Sequence, residues 1–189
     1  MVKVYGYGTV GAYIYKKELL VKNNILFLDN NIGEDVYFNL QAIAMTDKIK
    51  IINYIGYNWF YNKNSVSNTI QRKMNEINVL KLLNACFKRL SESNLIEKDY
   101  LNIEYYFIRY IIWYLLFSSK GNDKKVIYME CEEKFNWLKD HFPNYKRNKN
   151  VSFFRPNGEV FFNRLIVKVF LLLHRYHLDK VFLSKYSKM

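Results

Sequence analysis

Apolar residues recur at two different periods along this chain, and the change between them divides it. Residues 1–15 alternate Tyr, Val and Ile with glycines at Gly6, Gly8 and Gly11, a pattern of high β-propensity broken by turns that predicts strand, turn, strand. Leu19 and Leu20 among charges predict a short helix over 16–23, and Phe27 and Leu28 precede a polar turn at 29–33. From Glu34 to about Thr46, Val36, Leu40, Ile43 and Ala44 share one helical face. Residues 49–55 and 57–61 read as two strands either side of Gly56, followed by a polar loop over 62–68. Glycine then nearly vanishes: five of the seven lie at or before Gly56. Met74, Ile77, Leu80, Leu83, Phe87 and Leu90 recur every three or four residues and predict a long helix over 69–93. Further helices are expected over 99–118, 125–141, 159–174 and the last residues, with a basic loop over 143–156. The fold class expected is therefore α/β, an α/β piece over 1–67 and an all-helical extension over 68–189 that ends in a basic amphipathic tail.

Composition sharpens this. Half the residues are apolar and 18% are aromatic, so the chain can fill a core and is not disordered. The net charge is +12, and the segment from Pro143 to Met189 holds 10 Lys/Arg against 2 Asp/Glu, which is +8 of that total. Such a tail points to an anionic membrane surface or nucleic acid. Cys86 and Cys131 match neither a metal spacing nor a disulfide framework and fit a reducing cytoplasm. No signal peptide is visible, and the longest uncharged apolar run, 110–117, falls far short of the roughly 20 residues of a spanning helix. The localisation expected is cytoplasmic, with peripheral contact at the inner face of the membrane.

Four groups of residues carry candidate chemistry. Glu34 and Asp35 open a helix; taken alone, acidic residues there interact with the helix dipole by about 0.3–1 kcal/mol each. His174 and His177 stand three apart on a helix, a spacing that suits either two metal ligands or a solvated pair. Arg164, Lys168 and Arg175 fall on one narrow helical face, and Phe161, Leu165, Val169 and Leu172 mostly on the others. That strip suits a membrane-interface helix or a core helix with a solvated stripe. The tyrosines between Tyr54 and Tyr61 serve either to stack on a sugar or base or to fill a core.

The blocks 13–20, 24–27, Gly33-Glu34-Asp35 with 36–40, 49–61 and Asn64-Ser65-Val66-Ser67, in that order and spacing, resemble the C-terminal half of family 2 glycosyltransferases of the GT-A fold, enzymes of bacterial capsule and surface-polysaccharide synthesis. The resemblance covers about residues 9–70. It implies a partial GT-A-like α/β piece and inverting transfer of a sugar from a nucleotide sugar to a saccharide hydroxyl. Asp35 would then be the general base, Glu34 would orient the acceptor, and Asn64 and Ser65 would sit in a loop over the diphosphate. Such enzymes hold Mn²⁺ or Mg²⁺ with an Asp-x-Asp motif in a preceding β-α-β half. No Asp-x-Asp occurs here, so the expectation is an incomplete chain that binds no cofactor itself and is inactive alone. Self-association through an unpaired sheet edge is expected with it. The competing reading, from charge alone, is a small basic helical protein contacting nucleic acid or another protein chain. No nucleic-acid motif supports contact with nucleic acid.

Overall fold

Burial, more than local propensity, decides which segments of this chain become regular. The structure is a computed structural model that describes residues 10–52, 58, 60, 62, 63, 65, 69 and 73–188. Among the described residues every regular element is helical and there is no strand, which corrects the α/β expectation and with it the GT-A-like piece. Residues 10–12 form a 3₁₀ turn instead of a strand, and 48–52 are irregular. The remaining positions of the expected strands, at 1–9, 53–57, 59 and 61, lie outside the described residues, as does Asn64. The physical reason is pairing. A strand needs a neighbour to take up its N–H and C=O groups and to cover its side chains, whatever its propensity. Ile51, 83% exposed, has neither the cover nor the pairing. Among the described residues there is no sheet edge to pair with that of another copy.

The helices are α1 (Lys17–Lys22), α2 (Glu34–Ala44), α3 (Val79–Glu92), α4 (Leu95–Lys98), α5 (Tyr100–Ser118), α6 (Lys124–His141), α7 (Phe161–Arg175) and α8 (Asp179–Tyr186). They fall into two compact units, one comprising residues up to 62 with 78–98, the other 63–77 with 99–189.

In the first unit α2 packs on α3. The helix predicted over 69–93 starts only at Val79, after a separate 3₁₀ turn at Met74–Glu76, because Asn78 caps it: the Asn78 side chain accepts the Lys81 N–H at 2.9 Å. The buried face of α3 is Val79, Leu82, Leu83, Cys86 and Leu90, rotated by about one residue from the predicted stripe. Asn78 also ties down the polar turn before α2. Its carbonyl accepts from the Asn30 side chain at 2.9 Å, and its N–H donates to the Asn31 side chain at 3.1 Å. Lys81 donates to the Asp29 carbonyl, and Arg89 to that of Asn23. Ile25, Phe38 and Ala42 form a small core, covered by Val10, Tyr15, Leu19, Leu20 and Met45.

The second unit is built on α5, which contacts α6, α7 and α8. Twelve of its 19 residues are buried, more than one stripe of an amphipathic helix provides. Phe107 meets Trp137 at 5.1 Å and Phe142 at 5.5 Å between ring centroids. Two charged residues interrupt α5, and each finds a partner in the irregular segment 142–160. Glu104 accepts from Asn148, and Arg109 pairs with Glu159 at 2.5 Å. Asn148 also donates to the Leu101 carbonyl at 2.9 Å, and the Asn150 side chain donates to that of Asn102 at 2.9 Å. Cys86 and Cys131 are both buried free thiols. No helix among the described residues is long and apolar enough to cross a membrane.

Ile111, fully buried in the middle of α5, tests this arrangement. Ile111→Ala should cost about 2–5 kcal/mol, read as a lower urea midpoint with an unchanged slope. A loss under about 1 kcal/mol would show that α5 is not the packed centre of its unit.

Candidate functional site

The Glu34-Asp35 pair sits where the chain turns into α2. Gly33 takes the N-cap position with φ +74°, a left-handed conformation that glycine adopts without steric cost. Glycine has no side chain to cap the first turn, and two acidic residues follow it there, at the positive end of the helix dipole. Glu34 is exposed and Asp35 half-buried. An Asp35 Oδ2 to Val10 N–H contact of 3.4 Å links the helix start to the 3₁₀ turn.

Aromatic residues stand beside the pair. Tyr15 donates its hydroxyl to Asn39, which is buried one turn beyond Asp35 on α2. Its ring lies edge-on to Phe38 at 5.3 Å and 6.0 Å from Tyr13, and Phe38 stacks on Phe27 at 4.3 Å. Burial, then the neighbouring Tyr13 and the Asp35 carboxylate, push the Tyr15 phenol up to about 12, so at neutral pH it stays a proton donor. The Tyr13 phenol is raised by burial too. Tyr13 and Tyr15 remain partly exposed. The result is a partly exposed carboxylate near the Tyr15 phenol, with the Tyr13 ring beside that of Tyr15. A sugar uses both kinds of group, one for a hydroxyl and one for an apolar ring face.

The family resemblance groups Asn64 and Ser65 with Asp35. The Ser65 carbonyl accepts the Thr69 N–H at 3.1 Å and the Thr69 hydroxyl at 2.9 Å, and Ser65 belongs to the second unit. Tyr13 and Tyr15 belong to the segment expected as a strand, and it is the packing on α2 that brings Tyr15 near Asp35.

In the second unit the histidine pair separates. His177 is exposed, in a left-handed turn with φ +59° beyond the end of α7. His174 turns inward: its Nδ1 donates to Asp179 at 2.6 Å, and its Nε2 lies 2.7 Å from the Tyr145 hydroxyl. The Phe135 ring stacks on the imidazole at 3.7 Å. The Cys131 thiol donates to the same Asp179 oxygen at 3.3 Å. Burial pushes the Tyr145 phenol and the Cys131 thiol up, and the Asp179 charge adds to both. For Asp179 burial pulls upward, but the hydrogen bonds from His174 and Cys131 prevail and hold it below 3.8. Asp179 stands five residues after His174, across a helix break, a spacing that marks no helical pair. Among the described residues no group of three or more His, Cys, Asp or Glu is placed to hold a metal ion, so the divalent ion that the family resemblance implies has no fit there.

The basic strip of α7 is engaged with the irregular segment. Arg164 donates to the Phe154 carbonyl at 3.2 Å, Lys168 to that of Val151 at 3.5 Å and Arg175 to that of Lys146 at 2.5 Å. Lys168 and Arg175 join Lys146 and Arg147 around a pocket of about 210 Å³ whose apolar wall includes Leu171 and Leu172. Lys146 and Arg147 were visible in sequence only as members of a basic loop.

The inward histidine makes a pH prediction. The folded state holds Asp179 below its unfolded value of 3.8. The pair therefore stabilises fully above that pH, and the contribution is lost as acid titrates Asp179 through its lower folded value. Asp179→Asn should lower stability by about 1–3 kcal/mol at neutral pH and flatten the acid limb of a denaturation series. An unchanged acid limb would remove Asp179 from that role. Comparison of the chain with protein-family models, with curated proteins and with solved structures returned no match.

Proposed function

We propose that the surface around Asp35 is the acceptor side of an inverting glycosyltransferase. The observation that carries this reading is the half-buried Asp35 carboxylate at the start of α2, with the partly exposed Tyr15 near it and Tyr13 next to Tyr15. A saccharide hydroxyl would donate to Asp35 while an apolar ring face rests on tyrosine. Asp35 takes the hydroxyl proton as its oxygen bonds to the anomeric carbon, and the nucleotide diphosphate leaves with the electrons of the broken carbon–oxygen bond. A carboxylate suits the base role because it can accept a hydroxyl proton, and the turn fixed by Gly33 limits the positions it can take. Glu34, exposed one residue earlier, orients the acceptor. The reading rests on residues 10–45 and needs no sheet.

Saturation-transfer NMR of the purified chain against a panel of oligosaccharides tests it. Saccharide protons should receive magnetisation from the protein, and Asp35→Ala should weaken binding about tenfold, the worth of one charge-assisted hydrogen bond. Dichroism should show the helices intact in the variant. A folded chain that binds no saccharide, or binds equally with Asp35→Ala, would overturn the assignment.

A further inference from the structure

The pocket on α7 gathers four cations around one opening. Lys146, Arg147, Lys168 and Arg175 line it, with no acidic residue in its wall. Among the described residues none of the four forms an ion pair with a carboxylate. Like charges held this close repel, and the neighbouring apolar wall, which screens less than water, sharpens the repulsion. An anion with several acceptor oxygens relieves it, and phosphate suits the guanidinium and ammonium donors. The fold maintains the arrangement: Arg175 donates to the Lys146 backbone, so one cation of the pocket fixes the chain position of another.

The surroundings indicate what the phosphate is attached to. The Lys168 Nζ lies 5.3 Å from the centre of the Phe153 ring, and Arg164 lies 5.9 Å from that of Phe161. Phe153, Phe154, Phe161 and Phe162 are all exposed, Phe154 by 82% and Phe162 by 64%. At 100° per residue, Phe161, Lys168, Leu172 and Arg175 fall within one arc of α7. The basic pocket and the exposed phenyl rings thus adjoin. Phenylalanine brings apolar area and no hydrogen-bonding group, so this border matches acyl chains better than a polar protein surface. We propose that the pocket seats the phosphate of an anionic membrane lipid headgroup, with the exposed phenylalanines entering the bilayer interface around it. The assignment uses residues of the second unit alone and stands or falls separately from the acceptor reading.

Co-sedimentation of the full chain with vesicles tests it. Phosphatidylcholine vesicles are compared with vesicles in which half the lipid is phosphatidylglycerol, and inorganic phosphate serves as a soluble competitor. The phosphatidylglycerol vesicles should be bound and the neutral ones not, with binding weakened by salt. The combined variant Lys146→Gln, Arg147→Gln, Lys168→Gln should bind about a hundredfold more weakly, and it leaves Arg175 in place to hold the loop. Phe154→Ser with Phe162→Ser should weaken vesicle binding about tenfold or more, since it removes two insertions but no charge. Dichroism and an unchanged urea midpoint would establish that both variants fold. Equal binding to both vesicle types, or binding indifferent to the triple substitution, would overturn the proposal. Displacement by millimolar inorganic phosphate together with indifference to the phenylalanine changes would assign the pocket to a soluble phosphate instead. Tighter binding to random DNA than to the anionic vesicles would assign it to nucleic acid.

Discussion

Glu104 and Arg109 place a constraint on the whole second unit. They lie on α5, a helix buried over most of its surface, and a charge taken from water without a partner costs several kcal/mol. Both partners, Asn148 and Glu159, come from the segment between α6 and α7. That segment has little regular structure of its own, yet it is held at many points: to α5 through Asn148, Asn150 and Glu159, and to α7 through the carbonyls of Lys146, Val151 and Phe154. Its geometry is fixed by side chains more than by its own backbone ladder. Because it is fixed, Lys146 and Arg147 stand opposite Lys168 and Arg175 in a defined pocket.

The first unit solves a similar problem on a smaller scale. Its turn before α2 is short and polar, and a single asparagine at the start of α3 both caps that helix and clamps the turn. The position of Asp35 therefore depends on a residue more than forty positions away in sequence. Tyr15 and Asn39 add a bond across the same region, and the phenyl stack of Phe27 on Phe38 closes its base. The candidate site is in this sense a property of the α2–α3 pairing, not of the Glu-Asp dipeptide.

What could be read in the sequence follows the same division. The helices α5, α6 and α7 were predicted to within about two residues, because long periodic runs and their breaks carry their own signal. Among the described residues the strand expectation failed over 10–15 and 49–52, where Tyr, Val and Ile suggest a pleat that no described neighbour completes. The start of α3 was missed because Asn78 is a plain polar residue inside a periodic run, and only its bond to Lys81 makes it a cap. Glu34 and Asp35 were legible because acidic residues after a glycine mark a helix start by local chemistry. The basic strip was legible as a face but not as a clamp, since its partners are backbone carbonyls, and a carbonyl leaves no trace in the sequence. The His174–Asp179 pair was hidden for another reason. It bridges two helices across a break, where helical spacing rules do not apply.

The two buried thiols have a practical consequence. Cys86 lies in the packed face of α3, and Cys131 lies against Asp179. Burial pushes both thiols well above their usual range, and the nearby carboxylate pushes Cys131 further. The thiolate is the form that reacts with alkylating reagents, so neither native cysteine competes for one while the chain is folded. A single cysteine introduced on the surface would then carry a spin label or fluorophore alone, with both native cysteines left in place.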